Sequence, residues 1–152
     1  MDAQIGHEKT LTGLMPALAR TSLIYGMGMI DMGMAVSYEQ LLMDAEFVRM
    51  FKRAEQGIQV NEDTIGLEVI AAVGPAGNYL NQRHTLKHMR KEISTAKLID
   101  RKFYSLWEKE GSLDMVQRAN NEARRIFAEY EPERLAPEIC KKIDAIIAEA
   151  EK

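Results

Sequence analysis

The sequence is short of the features that mark several large classes of protein. It holds one cysteine, Cys140, which excludes an intrachain disulfide framework and favours a reducing cytoplasm. No stretch approaches the ~20 apolar residues of a membrane-spanning helix, and residues 1–10 are too polar for a secretory signal peptide. The formal net charge of -3 lacks the basic excess of nucleic-acid-binding proteins. We therefore predict a cytoplasmic protein that binds neither membranes nor nucleic acid.

Strand-forming segments are equally scarce. The one convincing strand candidate is TSLIY, residues 21–25, a short apolar run that ends at a glycine. A lone strand cannot satisfy its own backbone donors and acceptors. We expect it to pair with a copy in another molecule or with strands outside this sequence.

A loop rich in glycine and methionine follows that strand. Residues 23–37, LIYGMGMIDMGMAVS, contain three glycines and four of the ten methionines, and Ser37 then leads into a strongly helical segment. Strand, loop and helix in this order form one βα unit. Ligands bind at the loop after the strand in barrel and doubly wound folds, so the functional prediction begins here.

Helical patterns occupy the rest of the chain. Residues 2–20 predict a first helix, which Pro16 should kink or break. Ser37 and Gln40 form a predicted capping box for a second helix that stops near Gly57. Further helices are predicted from Asn61 to Gly74, near residues 85–92 and 104–109, from a Ser112 cap to residue 130, and from Pro137 onwards.

The predicted fold class is mainly α with one short strand. A complete (β/α)8 TIM barrel needs ~250 residues and eight strands, whereas this chain has 152 residues and a single βα unit. We interpret it as a C-terminal fragment of such a barrel plus C-terminal helices. Residues 1–60 would be the last βα portion, and residues 61–152 a helical extension.

Three other patterns could indicate a copper site, a dinucleotide site or a histidine metal site, and each has a simpler interpretation. The Met-x-Met spacing suits Cu(I), but no cysteine or histidine lies nearby, so packing is favoured. The spacing of Gly26, Gly28 and Gly33 differs from the dinucleotide fingerprint. His84 and His88 share a helical face, yet no third ligand is evident and Thr85 replaces the glutamate of the zincin motif. We predict a surface or capping role for the histidines and no metal site.

Collinear segments along nearly the whole chain resemble one enzyme family. The sequence is similar to the C-terminal third of the trimethylamine:corrinoid methyltransferase family, which includes glycine betaine methyltransferases. The matching segments are DAQIGHEKTLTGLMPALA (2–19), LIYGMGM (23–29), SYEQLLMD (37–44), GIQVNEDTIGLEVIAAVGPAGNYL (57–80), HTLKHMRKE (84–92) and RKFYSLWEKEGSLDMVQRANNEARRIF (101–127).

The resemblance implies a (β/α)8 barrel that moves a methyl group from a tertiary or quaternary amine to a corrinoid protein. The corrinoid is carried by that partner, so no cofactor is expected to bind this chain directly. Some family members carry pyrrolysine, at a position that would fall just before Asp2. The resemblance covers about the last third of the family's length. We therefore expect no activity from this chain alone, and we expect it to form homo-oligomers.

The predicted substrate-binding residues are Tyr25, Gly26, Gly28, Asp31 and Gly33. A quaternary ammonium favours aromatic faces and carboxylates, which points to Tyr25 and Asp31. In the simpler interpretation, the glycines serve tight turns and Asp31 is a solvated loop residue. No catalytic residue is assigned.

A stand-alone helical interaction module is the alternative function. Such a module should be a monomer with cooperative unfolding. A barrel fragment should instead expose apolar patches and associate.

Overall fold

The computed structural model describes residues 1–151, which form a mainly helical chain with one small sheet. Its elements are α1 (Ala3–Leu18), β1 (Met29–Ile30), β2 (Ala35–Val36), α2 (Tyr38–Glu55), α3 (Glu62–Ile65), α4 (Leu67–Val73), α5 (Arg83–Glu92), α6 (Tyr104–Lys109), α7 (Met115–Glu129) and α8 (Pro137–Ala150). A short 3-10 turn, Asp31–Gly33, joins the two strands.

Helix α2 is the centre of the fold, with α1 packed on one side and α7 on the other. The buried cluster between α2 and α7 contains Met43, Leu98 and Ala119. On the side of α1, the Phe51 ring lies directly against Gly13, where a β-carbon would come within 2.5 Å of the ring. Helix α2 therefore packs through two faces, one towards α1 and one towards α7.

The predicted strand at residues 21–25 is not formed within residues 1–151, and its expected pairing with strands outside this sequence stays a prediction. These residues have no strand partner among the described residues and form irregular backbone between α1 and the loop. Extended backbone becomes a strand only when a neighbour satisfies its hydrogen bonds. The strands lie later, in an antiparallel pair that aligns Met29 with Val36 and Ile30 with Ala35. The mainly helical class is confirmed, with this hairpin replacing the single strand.

Helix N-termini follow the sequence closely, with two corrections. The Ser37 hydroxyl accepts the Gln40 N–H as predicted, but the Gln40 side chain turns inward and does not complete a capping box. Helix α7 is capped by Asp114 and not by the predicted Ser112, because Ser112 adopts a left-handed conformation (φ 53°) two residues earlier. Asn61 caps α3 with Thr64 in a reciprocal box.

Helix ends reflect proline and glycine. α1 runs through Pro16 and ends at Leu18, so the proline does not break the helix. Gly66, at φ +64°, divides the helix predicted between Asn61 and Gly74 into α3 and α4. Pro137 occupies the first turn of α8 as predicted.

The first turn of α2 is tied to α7 by a polar contact. Glu39 accepts hydrogen bonds from the Ser37 hydroxyl and from Asn120 on α7. The Ser37 hydrogen bond is the main reason why the pKa of Glu39 lies below its ordinary value, followed by a backbone hydrogen bond and Asn120. The contact spans the two helices that enclose the buried cluster.

Much of the chain's apolar surface remains uncovered. The accessible surface is 12638 Å², whereas a folded monomer of 17.2 kDa exposes roughly 7,800 Å². Every described residue of α8 is exposed, including the four isoleucines on that helix. Within residues 1–151, no helix combines the length and apolar character needed to cross a membrane. The single chain thus buries much less surface than a self-contained domain of this mass.

Candidate functional site

An open groove of about 920 Å³ lies between α1, the loop at residues 20–33 and the adjoining face of α2. Four of the five predicted binding residues line it: Tyr25, Gly26, Asp31 and Gly33. Gly28 is buried beside the groove and is not among its lining residues. The structure therefore brings the sequence-predicted set to one place, and substrate binding by these residues remains a prediction.

The glycine-rich loop depends on backbone conformations that favour glycine. Gly26, Gly28 and Gly33 have φ angles of +95°, +76° and +89°. Asp31 and Met32, at φ 50° and 51°, also lie in the left-handed region, which aspartate tolerates better than most residues. The turn role proposed for the glycines is thus confirmed, and it is compatible with a role in lining the groove.

A buried carboxylate, that of Asp44, binds the glycine-rich loop to α2. Asp44 of α2, whose side chain is 6% exposed, accepts the Gly28 N–H at Oδ2 over 2.8 Å. Its other oxygen, Oδ1, accepts the Gln40 amide over 2.7 Å. The Lys9 ammonium lies 3.3 Å from Oδ2 and donates to the Gly26 carbonyl over 2.7 Å. These contacts fix the loop to both α1 and α2.

Sequence reasoning missed this Lys9–Gln40–Asp44 network. One signal was available, because Gln40 and Asp44 are four residues apart and Asp44 interrupts the apolar face of α2. A polar residue on a buried face must find partners. The identity of those partners depends on how α1 and the loop pack, which helical periodicity does not specify.

The groove combines apolar walls with exposed polar side chains of both charges, among them Arg20, Lys52 and Glu55. Ile24, Ile30 and Phe47 contribute to the walls. The Tyr25 side chain is 83% exposed and Asp31 is exposed as well, so both are free to meet a ligand. Apolar walls accommodate methyl groups, while an aromatic face and a carboxylate attract a cation. Among the lining residues, Tyr25 and Asp31 offer an aromatic face and a carboxylate.

Comparison with known proteins gives the family. The family described as Trimethylamine methyltransferase (MTTB) matches residues 1–152. The chain is 45% identical over 150 residues to trimethylamine methyltransferase MttB of Desulfitobacterium hafniense strain DCB-2, covering 99% of this chain and 30% of that protein. It is 38% identical over 151 residues to trimethylamine methyltransferase MttB2 of Methanosarcina mazei, covering 99% of this chain and 30% of that protein.

A relative with a different name matches along the same length. The glycine betaine methyltransferase of Desulfitobacterium hafniense strain Y51 is 37% identical over 153 residues, covering 100% of this chain and 32% of that protein. The chain therefore spans about a third of the length of these relatives. Because the family match extends over every residue, the chain belongs to the trimethylamine methyltransferase family.

Proposed function

We propose that this protein takes part in moving a methyl group from a tertiary or quaternary amine, of the trimethylamine or glycine betaine type, to a corrinoid protein. The observation that carries the proposal is the family match along residues 1–152. The names of the relatives support a methylated amine as the substrate. The corrinoid of the partner would supply the nucleophilic cobalt that accepts the methyl group.

The groove residues would act on the amine. During transfer from a quaternary or protonated tertiary amine, the C–N bond breaks as the corrinoid partner accepts the methyl group, the electron pair of that bond stays on nitrogen, and the nitrogen loses its positive charge. A carboxylate such as Asp31 stabilises the cationic substrate more than the neutral product. Its contribution therefore belongs to binding, because only interactions that strengthen in the transition state accelerate the chemical step. Tyr25 would add an aromatic face for the same cation.

Further protein surface is needed to complete the site. The chain spans about 30% of the first relative, and exposed apolar residues, among them Ile24, Met27 and Met32, line its groove. An accessible surface of 12638 Å² argues against a self-contained helical module, the alternative function. The surface supports association with other parts of a TIM barrel or with copies of this chain.

The test compares the 152-residue chain with a protein of full family length that contains it. We expect the full-length protein to methylate a reduced corrinoid protein from trimethylamine or glycine betaine, as followed by the visible absorbance of the corrinoid. The isolated chain should give no turnover because its groove is incomplete. In the full-length protein, Asp31→Asn should raise KM about tenfold and leave kcat within about twofold, since the lost interaction acts on binding.

Asp144→Asn, a change on the exposed helix α8, is the matched control and should alter neither constant. Turnover by the isolated chain would overturn the incomplete-site proposal. A full-length protein that transfers no methyl group to any corrinoid protein would overturn the proposed function itself.

A further inference from the structure

A cluster of three potential metal ligands lies in the helical half of the chain, away from the groove. Asp63 comes from α3, and His84 and His88 come from α5. Each residue offers one ligand atom, and these atoms lie within 4.8 Å of one another. The histidines are four residues apart, so both rings project from one helical face, with centroids 4.3 Å apart. Asp63 supplies the third ligand that the sequence had not revealed.

His88 has an unused nitrogen inside this cluster. Its side chain is 16% exposed, and Nε2 is buried without a hydrogen-bond partner among the described residues. The Asp63 Oδ2 atom lies 3.4 Å away and is not aligned for a hydrogen bond. Leaving a buried polar atom unsatisfied costs about 1–3 kcal/mol. A metal ion between the two groups would satisfy both.

The His84 ring also contacts Asp63, at its main chain. A ring nitrogen, Nε2, forms a hydrogen bond with the Asp63 main-chain carbonyl. Metal-binding histidines commonly donate one ring N–H to a carbonyl, which leaves the other nitrogen as the ligand. Gly66 leaves room for the ring, because a β-carbon there would lie 3.2 Å from His84 Cε1.

Lys87 is the competitor for the carboxylate. Its ammonium donates to Asp63 Oδ2 over 2.6 Å, and this hydrogen bond is the main reason why the pKa of Asp63 lies below its usual range. The Lys87 side chain is 61% exposed on a flexible stem, so it can withdraw into solvent. The carboxylate would then exchange the ammonium for a divalent cation.

We propose that Asp63, His84 and His88 bind one divalent ion of the zinc type. Two imidazole nitrogens and one carboxylate oxygen are ligands that zinc accepts, with water completing the tetrahedron. The ion would join α3 to α5 across the turn at residues 74–82. Asp63 is exposed, which gives the ion a path from solvent.

The experiment uses the full chain and the metal alone. Titration with zinc chloride, measured by calorimetry, should show one saturable site. Side-chain imidazole NMR should show His84 and His88 shifting on saturation, while His7, the remaining histidine and an exposed one, does not shift. His88→Ala and Asp63→Asn should each weaken binding at least tenfold, and His7→Ala should stay within twofold of the unchanged chain.

Lys87→Met separates metal binding from a purely structural role. Removing the competing ammonium should tighten zinc binding several-fold, and this measurement remains decisive even if His88→Ala does not fold. The proposal is overturned if the chain shows no saturable zinc binding. It is equally overturned if His7→Ala weakens binding as much as His88→Ala, or if Lys87→Met leaves the affinity unchanged.

Discussion

Replacing Asp44 by alanine is expected to lower the free energy of unfolding by about 3 kcal/mol. Removing one partner of a buried, hydrogen-bonded charge pair is among the most destabilising single changes. The change leaves the Gly28 N–H and the Gln40 amide without their acceptor in a buried site. The Lys9 ammonium, which is partly exposed, can recover water and so adds less to the loss. Urea unfolding followed by circular dichroism measures the difference.

Two further variants isolate the network. Asp144→Ala, on the exposed α8, is the matched aspartate control and should change stability by less than about 0.5 kcal/mol. Lys9→Met should cost about 1–2 kcal/mol, because Asp44 keeps two of its hydrogen bonds. In the double variant the losses should not add, since the residues share one network. A loss below 1 kcal/mol for Asp44→Ala would show that the carboxylate does not hold the loop.

Gly28→Ala is the second change with a large expected effect, a loss of about 2–4 kcal/mol. An alanine there must adopt φ +76°, which is strained for any residue with a β-carbon. That β-carbon would also lie 2.9 Å from Leu41 Cβ and 3.2 Å from the Ser37 carbonyl oxygen. The loop would have to move away from α2 and release the Asp44 hydrogen bond. Thermal unfolding measures the loss.

Gly26→Ala provides the comparison within the same loop. Gly26 also has a positive φ angle, but a β-carbon there would meet only the Met29 sulfur at 3.6 Å, an ordinary contact. We expect a loss of about 1 kcal/mol, which reflects the backbone conformation alone. Equal losses for the two variants would contradict the argument that Gly28 is needed for close packing against α2.

The sequence specified helices better than strands, for a physical reason. The cap at Asn61 and the glycine stop at Gly74 act within a few residues, so local pattern reveals them. The strand expected at residues 21–25 depends on a neighbour that no local pattern supplies. The same apolar run instead lies unpaired beside the groove.

The same difference between local pattern and tertiary contact applies to the candidate sites. The groove-lining loop could be located because glycine conformation is a local property. The contact of Asp44 with Gly28 and the proximity of Asp63 to His84 could not, since each needs the packing of separate helices. From the sequence alone, such residues can be recognised as polar positions on a helix, but their hydrogen-bond partners cannot be predicted.

The Lys9 and Asp44 contacts join residues that are close in sequence, and this affects how the glycine-rich loop folds. Gly28 and Asp44 are 16 residues apart, and Lys9 and Gly26 are 17 apart, whereas Glu39 and Asn120 are separated by 81. Closing the longer segment costs about 1.4 kcal/mol more in chain entropy. We expect the shorter closures to form first, so that the loop can acquire its conformation from α1 and α2 before α7 docks. Every lining residue of the groove lies between residues 5 and 55, so its walls are built without the C-terminal helices.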